Sequence, residues 1–157
     1  MRWFVLVALV ACQSSSSNPP PAPAPAPKLE MIDAQPTPPG QTPAAQIARE
    51  YQRAQADHKK LVVYVGAVWC EPCQHFHEAA AAGKLDQMFG DLRLLVFDND
   101  RDGETLVSAG YSSQLIPLFV LPKPDGTSSK QQIEGSVKGA DAVQQIAPRL
   151  QKLVAGA

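Results

Sequence analysis

The sequence predicts a single α/β domain over residues 42–157, preceded by a long proline-rich segment. Two largely apolar runs, 61–68 and 92–97, of which the second contains Arg93, are typical of strands that are buried on both faces of a sheet. Segments with apolar residues at helical spacing alternate with these runs. The prolines, in contrast, are concentrated at the other end of the chain. Of the 15 prolines, ten precede residue 44, at positions 19, 20, 21, 23, 25, 27, 36, 38, 39 and 43.

The composition suits one soluble domain with a tail and disfavours nucleic-acid binding. The chain has 157 residues, which is enough for one ordinary domain. Its 14 basic and 15 acidic residues give a net charge of −1. Because no basic stripe is present, the electrostatic pattern of a nucleic-acid-binding protein is missing.

Residues 1–11 have the features of a signal peptide. Arg2 precedes the apolar run 3–11, which is too short to cross a bilayer as a helix, since about 20 residues are needed. Leu9–Cys12 reads LVAC and resembles the lipobox of bacterial lipoproteins, which implies that Cys12 carries lipid. Gln13 follows it in place of an acidic residue, which by the same resemblance implies anchoring in the outer membrane, facing the periplasm. An ordinary secretory signal is the alternative.

Residues 12–41 are predicted to form a disordered tether between the lipid and the domain. This segment is rich in Ser, Pro and Ala and has few apolar side chains. Pro-Ala alternation favours extended polyproline II, at about 3.1 Å per residue. The segment could therefore hold the domain several tens of ångströms from the membrane, although a plain linker has the same composition.

The domain itself shows helix and strand signals in alternation. Thr42 and Pro43 are a typical N-cap and first residue of a helix. Pro124–Gly126 is typical of a hairpin turn. The predicted elements are a helix with residues 47, 51, 54 and 58 at helical spacing, strand 61–68, helix 74–82, strand 92–97, helix 104–109, strand 118–121, strand 130–133, and a last helix with apolar positions 143, 146, 150 and 153.

Two cysteines, Cys70 and Cys73, lie between a predicted buried strand and a predicted helix. A pair at this spacing can be half of a zinc site, a structural disulfide or a redox dithiol. A zinc site needs further ligands, and the chain has no second pair. At the start of a helix, unpaired amides and the helix dipole favour a thiolate, so we expect a lowered pKa for Cys70.

Residues 69–73, with the sequence WCEPC directly after a buried strand, resemble the thioredoxin superfamily. The predicted order αβαβαββα is also similar to that of the family, which implies a central mixed sheet flanked by helices. The resemblance implies that Cys70 is the nucleophile and that Cys73 resolves the mixed disulfide. It further implies that Trp69 packs beside this dithiol and takes part in substrate binding.

The dipeptide Ile116-Pro117, before strand 118–121, is a second similarity to the family. There the proline is cis and faces the dithiol, and the backbone of the preceding residue pairs with the substrate polypeptide. Pro117 and Ile116 are therefore expected to bind substrate. Gly135 matches a family glycine that allows the substrate to approach.

Tyr64 marks a difference from thioredoxin proper, which has a buried carboxylate six residues before the first cysteine. Glu71, Glu78 and Asp98 are not assigned its role as a base, and proton transfer is expected to use water or a substrate group. Residues 64–67 and 73–77 resemble periplasmic thioredoxin-like domains that relay reducing equivalents. The pair Glu71-Pro72 resembles that of cytochrome c maturation reductants and is expected to tune the redox potential. A negative charge near Cys70 favours a reducing character.

The sequence thus predicts a membrane-tethered thiol–disulfide oxidoreductase, acting as a reductant on protein thiols and disulfides of the cell envelope. It is expected to be a monomer with no cofactor beyond the Cys70–Cys73 disulfide and no metal. A copper or zinc carrier using the dithiol with His75 and His77 is the alternative, and a binding module without turnover is a third possibility. Residues 98–103 resemble the start of a calcium loop, but helix capping at a strand end explains them better.

Overall fold

The computed structural model describes residues 26–156, and the predicted signal peptide, Cys12 and the first part of the predicted tether lie outside them. Strands and helices alternate along these residues. In chain order they are β1 Glu30–Asp33, α1 Pro43–Ala56, β2 Lys60–Gly66, α2 Glu71–Ala81, α3 Asp86–Phe89, β3 Leu92–Asp98, α4 Asn99–Ser108, β4 Leu118–Pro122, β5 Ser128–Glu134 and α5 Ala142–Ala155. No helix in this part of the chain is both long and apolar enough to span a membrane.

The strands form one mixed five-stranded sheet in the order β1-β3-β2-β4-β5. β1 and β2 both pair with β3 in parallel, whereas β4 runs antiparallel to β2 and β5 antiparallel to β4. Gly66 and Asp98 are register partners at the carboxyl ends of β2 and β3. The loops that follow these strand ends carry the two cysteines and the start of α4, so the sheet brings them to one edge.

Helices cover both faces of the sheet and bury β2 and β3 between them. Alternate residues of β2 enter two separate cores, as the two-residue period of a strand requires. Val62 and Tyr64 pack with Phe76 of α2 and Ile146 of α5. The other core holds residues from β2, β3, α1 and α4, including Leu61, Val63, Val65, Phe97, Ile47, Ala54 and Leu106. The predicted strands at 61–68 and 92–97 are confirmed, with β2 ending at Gly66.

The predicted disordered tether is wrong over its last part, because residues 30–33 form the edge strand β1. Leu29 and Ala34, on either side of it, are buried. Glu30 pairs with Arg93 and Lys59, and the Leu29 amide donates to the Asp86 carboxylate. The domain therefore begins before residue 42. Four residues of mixed polarity give no periodic signal, and the pairing with β3 that orders them is a tertiary effect.

The polar segment after β3 is a helix start, as the capping interpretation predicts. The Asp98 side chain accepts hydrogen bonds from the amides of Asp100 and Arg101, which satisfies two free N–H groups of α4. This cap starts α4 at Asn99, five residues before the predicted helix 104–109. The short helix α3 was not predicted, since four residues are too few for a helical period.

Candidate active site

Cys70 and Cys73 are joined by a disulfide at the start of α2, with a Cα–Cα distance of 5.2 Å. Cys70 is the N-cap residue and Cys73 lies in the first turn, as predicted. A turn closed by the Cys70 amide and the Ala67 carbonyl leads from β2 into the helix. Pro72 is buried in the first turn of the helix. Proline fits this position because N–H groups of the first turn have no acceptor within the helix, so the lack of an N–H costs no hydrogen bond.

The two cysteines line different depressions of the surface. Cys70 lines an open groove of about 630 Å³, whereas Cys73 lines a separate cavity of about 480 Å³ on another side of the helix start. Both residues are otherwise buried, with 4% and 2% of their surface exposed. A partner in the groove thus meets Cys70 first, and Cys73 communicates with solvent through the cavity.

The peptide bond between Ile116 and Pro117 is cis, as predicted. Pro117 is buried directly before β4, and Ile116 lines the groove together with Cys70. The Pro117 carbonyl accepts a hydrogen bond from the amide of Gly135. Gly135 has a φ of +62°, in the region that favours glycine, and this brings the end of β5 against the Pro117 loop.

Apolar side chains surround the groove and remain exposed to solvent. Trp69 is 62% exposed, Leu115 57% and Val137 43%. The Trp69 indole N–H donates to the Asp100 carboxylate at 2.8 Å, which ties the loop before the dithiol to the start of α4. Of the predicted substrate residues, Trp69 and Ile116 thus line the groove together with Cys70, and Pro117 follows Ile116 directly in the chain.

Glu71 is bound to the loop before α5. Its carboxylate accepts a hydrogen bond from the Gly139 amide at 3.1 Å and lies 3.9 Å from Nε2 of His75. About half of the side chain stays exposed. Glu71 is thus close to the dithiol, where it was expected to tune the potential, and it also joins the helix start to one wall of the groove.

Tyr64 and His77 line the cavity beside Cys73, together with Asp33, Asp98 and Arg101. Tyr64 is fully buried, and its hydroxyl has no hydrogen-bond partner among residues 26–156. Its ring packs on Phe119 and His77, at centroid distances of 4.9 and 5.2 Å. Burial raises the pKa of Tyr64 well above its ordinary value, so the phenol is neutral.

His77 is half-buried and belongs to the cavity, whereas its neighbour His75 does not line it. Burial lowers the pKa of His77, and the Asp33 carboxylate partly opposes this by favouring the charged imidazole. Sequence reasoning considered His77 only as a metal ligand. Its spacing of four from Cys73 was the signal that the two share a helical face. Asp33 was missed because it belongs to the unpredicted strand β1.

The two histidines of α2 are directed to different surroundings. His75 lies near the carboxylates of Glu71 and Glu78, at 3.9 and 3.7 Å. Within residues 26–156, no three side chains of the types His, Cys, Asp and Glu are grouped closely enough to hold a metal ion. The metal-carrier alternative therefore gains no support from the arrangement of these residues.

Comparison with solved structures finds chains of similar fold at low sequence identity. No protein-family model and no curated protein matches the chain. A poplar thioredoxin h shares 21% identity over 82% of this chain and 95% of its own, with a TM-score of 0.49. A Trichomonas vaginalis thioredoxin shares 18% identity over 79% and 96%, with a TM-score of 0.46. Arabidopsis thaliana thioredoxin O2 in the oxidized state shares 16% identity over 83% of this chain and 94% of its own, with a TM-score of 0.47.

The architecture described above agrees with the expected family arrangement. A mixed sheet is flanked by helices, the cysteine pair begins the helix after β2, and a cis proline precedes β4. The chain therefore has an α/β thioredoxin-like fold.

Proposed function

We propose that this protein is a thiol–disulfide oxidoreductase that exchanges disulfides with protein substrates through Cys70 and Cys73. The observation that carries the proposal is the position of their disulfide at the start of α2, with Cys70 on the wall of a groove that is also lined by Ile116, the residue before the cis proline. A purely structural disulfide at this spacing would join no distant parts of the chain. Local reactivity explains the pair better.

The reaction uses the two cysteines in sequence. The reduced Cys70 thiolate attacks one sulfur of a substrate disulfide, forming a mixed disulfide and releasing the other sulfur as a thiolate. The Cys73 thiol loses its proton and attacks Sγ of Cys70. The bond between Cys70 and the substrate then breaks, and the second substrate sulfur leaves as a thiolate that takes up a proton. Two electrons pass from the dithiol to the substrate, and the disulfide of this structure is the product form.

The amides of the first turn of α2 are suited to activating Cys70. Hydrogen bonding within the helix starts with the Gln74 amide, which donates to the Cys70 carbonyl. The N–H groups of the helix residues before Gln74 have no acceptor within the helix and can face negative charge at its N-terminus. Such groups and the helix dipole stabilise a nearby anion by about 0.3–1 kcal/mol at exposed sites. Cys70 is therefore the nucleophile, and the deeper Cys73 resolves.

The groove favours an extended, partly apolar polypeptide as substrate. Trp69, Leu115 and Val137 offer exposed apolar surface on its rim. Burying one such side chain against a partner contributes about 1.5–3 kcal/mol when the burial is complete. The backbone at Ile116, beside the cis proline, is the proposed pairing site for a substrate strand. We further propose that the substrates are proteins of the cell envelope and that this protein acts on them as a monomer.

The direction of exchange is proposed to be reducing. Glu71 places a carboxylate at the start of the dithiol helix, which disfavours a thiolate there and so favours donation of electrons. Dithiol proteins of this kind have potentials between about −270 and −120 mV. Equilibration against a series of glutathione ratios measures the potential directly. A value near the oxidising end of that range would contradict a reducing role.

Attachment to the outer membrane through lipid on Cys12 is the remaining part of the proposal. It is supported by the apolar run 3–11, the sequence LVAC at 9–12 and the proline-rich residues that follow. Labelled palmitate should be incorporated by the full chain in a bacterial host and not by the Cys12→Ala variant. Equal labelling of both chains would refute lipidation at this residue.

The exchange activity can be tested with insulin as substrate. Reduced protein should accelerate insulin reduction by dithiothreitol, and Cys70→Ser should abolish the acceleration. Cys73→Ser should instead accumulate a mixed disulfide that is visible by non-reducing electrophoresis, because the resolving sulfur is missing. The proposal fails if the wild type does not accelerate reduction or if Cys70→Ser traps a mixed disulfide as efficiently as Cys73→Ser.

A further inference from the structure

Cys73 needs a route for its proton, and Tyr64 stands at the position where thioredoxin proper has a buried carboxylate. Before it can attack the mixed disulfide, Cys73 must change from thiol to thiolate. It is 2% exposed and lies away from the groove that admits the substrate. Tyr64 is a neutral phenol and cannot accept this proton as a carboxylate would. The acceptor therefore has to be sought in the cavity that Cys73 lines.

The cavity has room for a proton path. At about 480 Å³ it can hold several water molecules, each of which takes about 30 Å³ in the liquid. The Tyr64 hydroxyl is a buried polar atom without a partner in residues 26–156, and Tyr64 is one of the residues that line this cavity. Gly66 provides the space for it, because an ideal Cβ there would lie 2.6 Å from the hydroxyl oxygen.

The charged groups of the cavity are mostly engaged elsewhere. The Asp98 carboxylate accepts the amides of Asp100 and Arg101. The Arg101 guanidinium is bound to the buried Asp102 carboxylate and to the Ala34 carbonyl. Asp33 lies at the exposed end of β1 and interacts electrostatically with His77.

His77 is the group best placed to exchange a proton with Cys73. It lies one helical turn after Cys73 on the same face of α2 and lines the same cavity. Its ring packs against that of Tyr64. We propose that His77 accepts the proton of Cys73 through this cavity, with the Tyr64 hydroxyl as the bridging group. The proposal rests on the exchange activity proposed above and names the residues that serve its second step.

During resolution, one proton moves from Cys73 to His77 and the electrons of the new disulfide pass to the substrate sulfur. Neutral His77 takes the proton and becomes imidazolium, while the Cys73 thiolate attacks Cys70 and displaces the substrate thiolate. The imidazolium returns its proton to the leaving thiolate or to solvent. In the reverse direction, the same imidazolium protonates Cys73 when the disulfide is opened. Burial lowers the pKa of His77, so the imidazole is neutral and able to accept at neutral pH.

Reaction of the reduced full-length protein with 5,5′-dithiobis(2-nitrobenzoate) separates the two steps. Attack by Cys70 releases one coloured thiolate, and resolution by Cys73 releases a second. The first phase tests the proposed exchange activity, and the second tests the proton route. His75→Gln is the matched control, because His75 is on the same helix but does not line the cavity.

His77→Gln should leave the first phase unchanged and slow the second by about tenfold or more near neutral pH, within the range that general base groups supply. The two proteins should converge above about pH 9, where a thiol ionises without assistance. Tyr64→Phe keeps the packing and should slow the second phase severalfold. The double variant should be no slower than His77→Gln, because both residues serve one path.

Different results overturn different claims. If the wild type shows no first phase, the exchange activity itself is refuted. If the first phase is normal and His77→Gln matches His75→Gln in the rate and pH profile of the second, the proton route is refuted and the exchange activity stands. Should His77→Gln fail to fold, as judged by circular dichroism, His77→Ala with added imidazole replaces it. Faster resolution on adding imidazole supports the proposal, and an unchanged rate contradicts it.

Discussion

The indole of Trp69 is held by the carboxylate of Asp100, at 2.8 Å, across the gap between the dithiol loop and the first turn of α4. This bond fixes a side chain that is 62% exposed at the rim of the substrate groove. An exposed tryptophan with a fixed orientation presents apolar surface to a partner at a low entropic cost, since the side chain is already ordered before binding. The bond thus connects the capped start of α4 to the proposed substrate site.

Asp100→Ala should free the indole and raise the KM for a protein substrate such as insulin by about threefold to tenfold. The rate with a small disulfide should change little, because that substrate can reach Cys70 without the apolar contact with Trp69. Asp91→Ala is the control, since Asp91 is exposed and precedes β3 at the opposite edge of the sheet. Equal KM values for the Asp100 and Asp91 variants would show that the bond has no role in recognition.

Two substitutions of Glu71 separate its charge from its hydrogen bond to Gly139. Glu71→Gln removes the charge and keeps an acceptor, whereas Glu71→Ala removes both. If the charge disfavours the Cys70 thiolate, both variants should be alkylated by iodoacetamide about twofold to fivefold faster below neutral pH and should be more oxidising. If the hydrogen bond is what matters, only Glu71→Ala should differ from the wild type. Unchanged alkylation in both would remove Glu71 from redox tuning.

Gly66→Ala should destabilise the domain because its Cβ would lie 2.6 Å from the Tyr64 hydroxyl and 2.9 Å from two ring carbons. Overpacking of this kind costs about 1–3 kcal/mol of unfolding free energy, which urea denaturation can measure. Gly103→Ala is the control. Its Cβ in α4 would lie 3.4 Å from the nearest atom, and alanine stabilises a helix relative to glycine by about 0.5–1 kcal/mol. Equal stability of Gly66→Ala and wild type would contradict the close contact.

Truncation tests the corrected domain boundary. A chain that begins at residue 26 should match the full chain in urea unfolding. A chain that begins at residue 42 lacks β1 and the buried residues Leu29 and Ala34, so we expect it to be less stable by about 2 kcal/mol or more. Equal midpoints for both truncated chains would restore the boundary that the composition suggested.

The attachment of β1 should weaken in acid through Glu30. Burial alone would raise its pKa, but hydrogen bonds from Lys59 and Arg93 outweigh this effect, so the pKa of Glu30 is lowered in the folded protein. A carboxyl group of this type contributes stability above its unfolded pKa, about 4.3, and loses it as the pH falls through the lower folded value. Glu30→Gln should therefore be less stable than wild type at neutral pH, by less than about 1 kcal/mol at this exposed pair, and the difference should vanish in acid.

A stability difference for Glu30→Gln that persists unchanged to strongly acidic pH would show that packing, and not the ion pairs, is the cause. Asp91→Ala again serves as a control, because the structure shows no salt bridge to Asp91 among the described residues.

Local signals along the chain were sufficient for most of the fold and for the reactive pair. The apolar runs within β2 and β3 are free of charge except at Arg93, which is the pattern of strands buried on both faces. WCEPC at 69–73 and Ile116-Pro117 are short motifs that can be recognised without any contact being known. Thr42 and Pro43 likewise mark a helix start, which the structure confirms.

The residues of the cavity could be predicted only in part. Asp33 was missed, because β1 is ordered by pairing with β3 and by the partners of Glu30, all of which are far away in sequence. His77 was considered only for the metal-carrier alternative, since spacing cannot show which side of α2 faces the sheet. Tyr64 was identified as a difference from thioredoxin proper, yet the surroundings of its hydroxyl depend on Gly66 and α2 together.

The sequence alone determined that a buried strand leads into a helix with two cysteines at its start. The apolar pattern of the strand, the composition of the helix and the spacing of the cysteines are all local features of the chain. Only the tertiary structure decided that Cys70 opens to a groove and Cys73 to a separate cavity, and that Tyr64, His77 and Asp33 meet in the latter. These residues come from a helix and two strands, and the packing of α2 on the sheet brings them together.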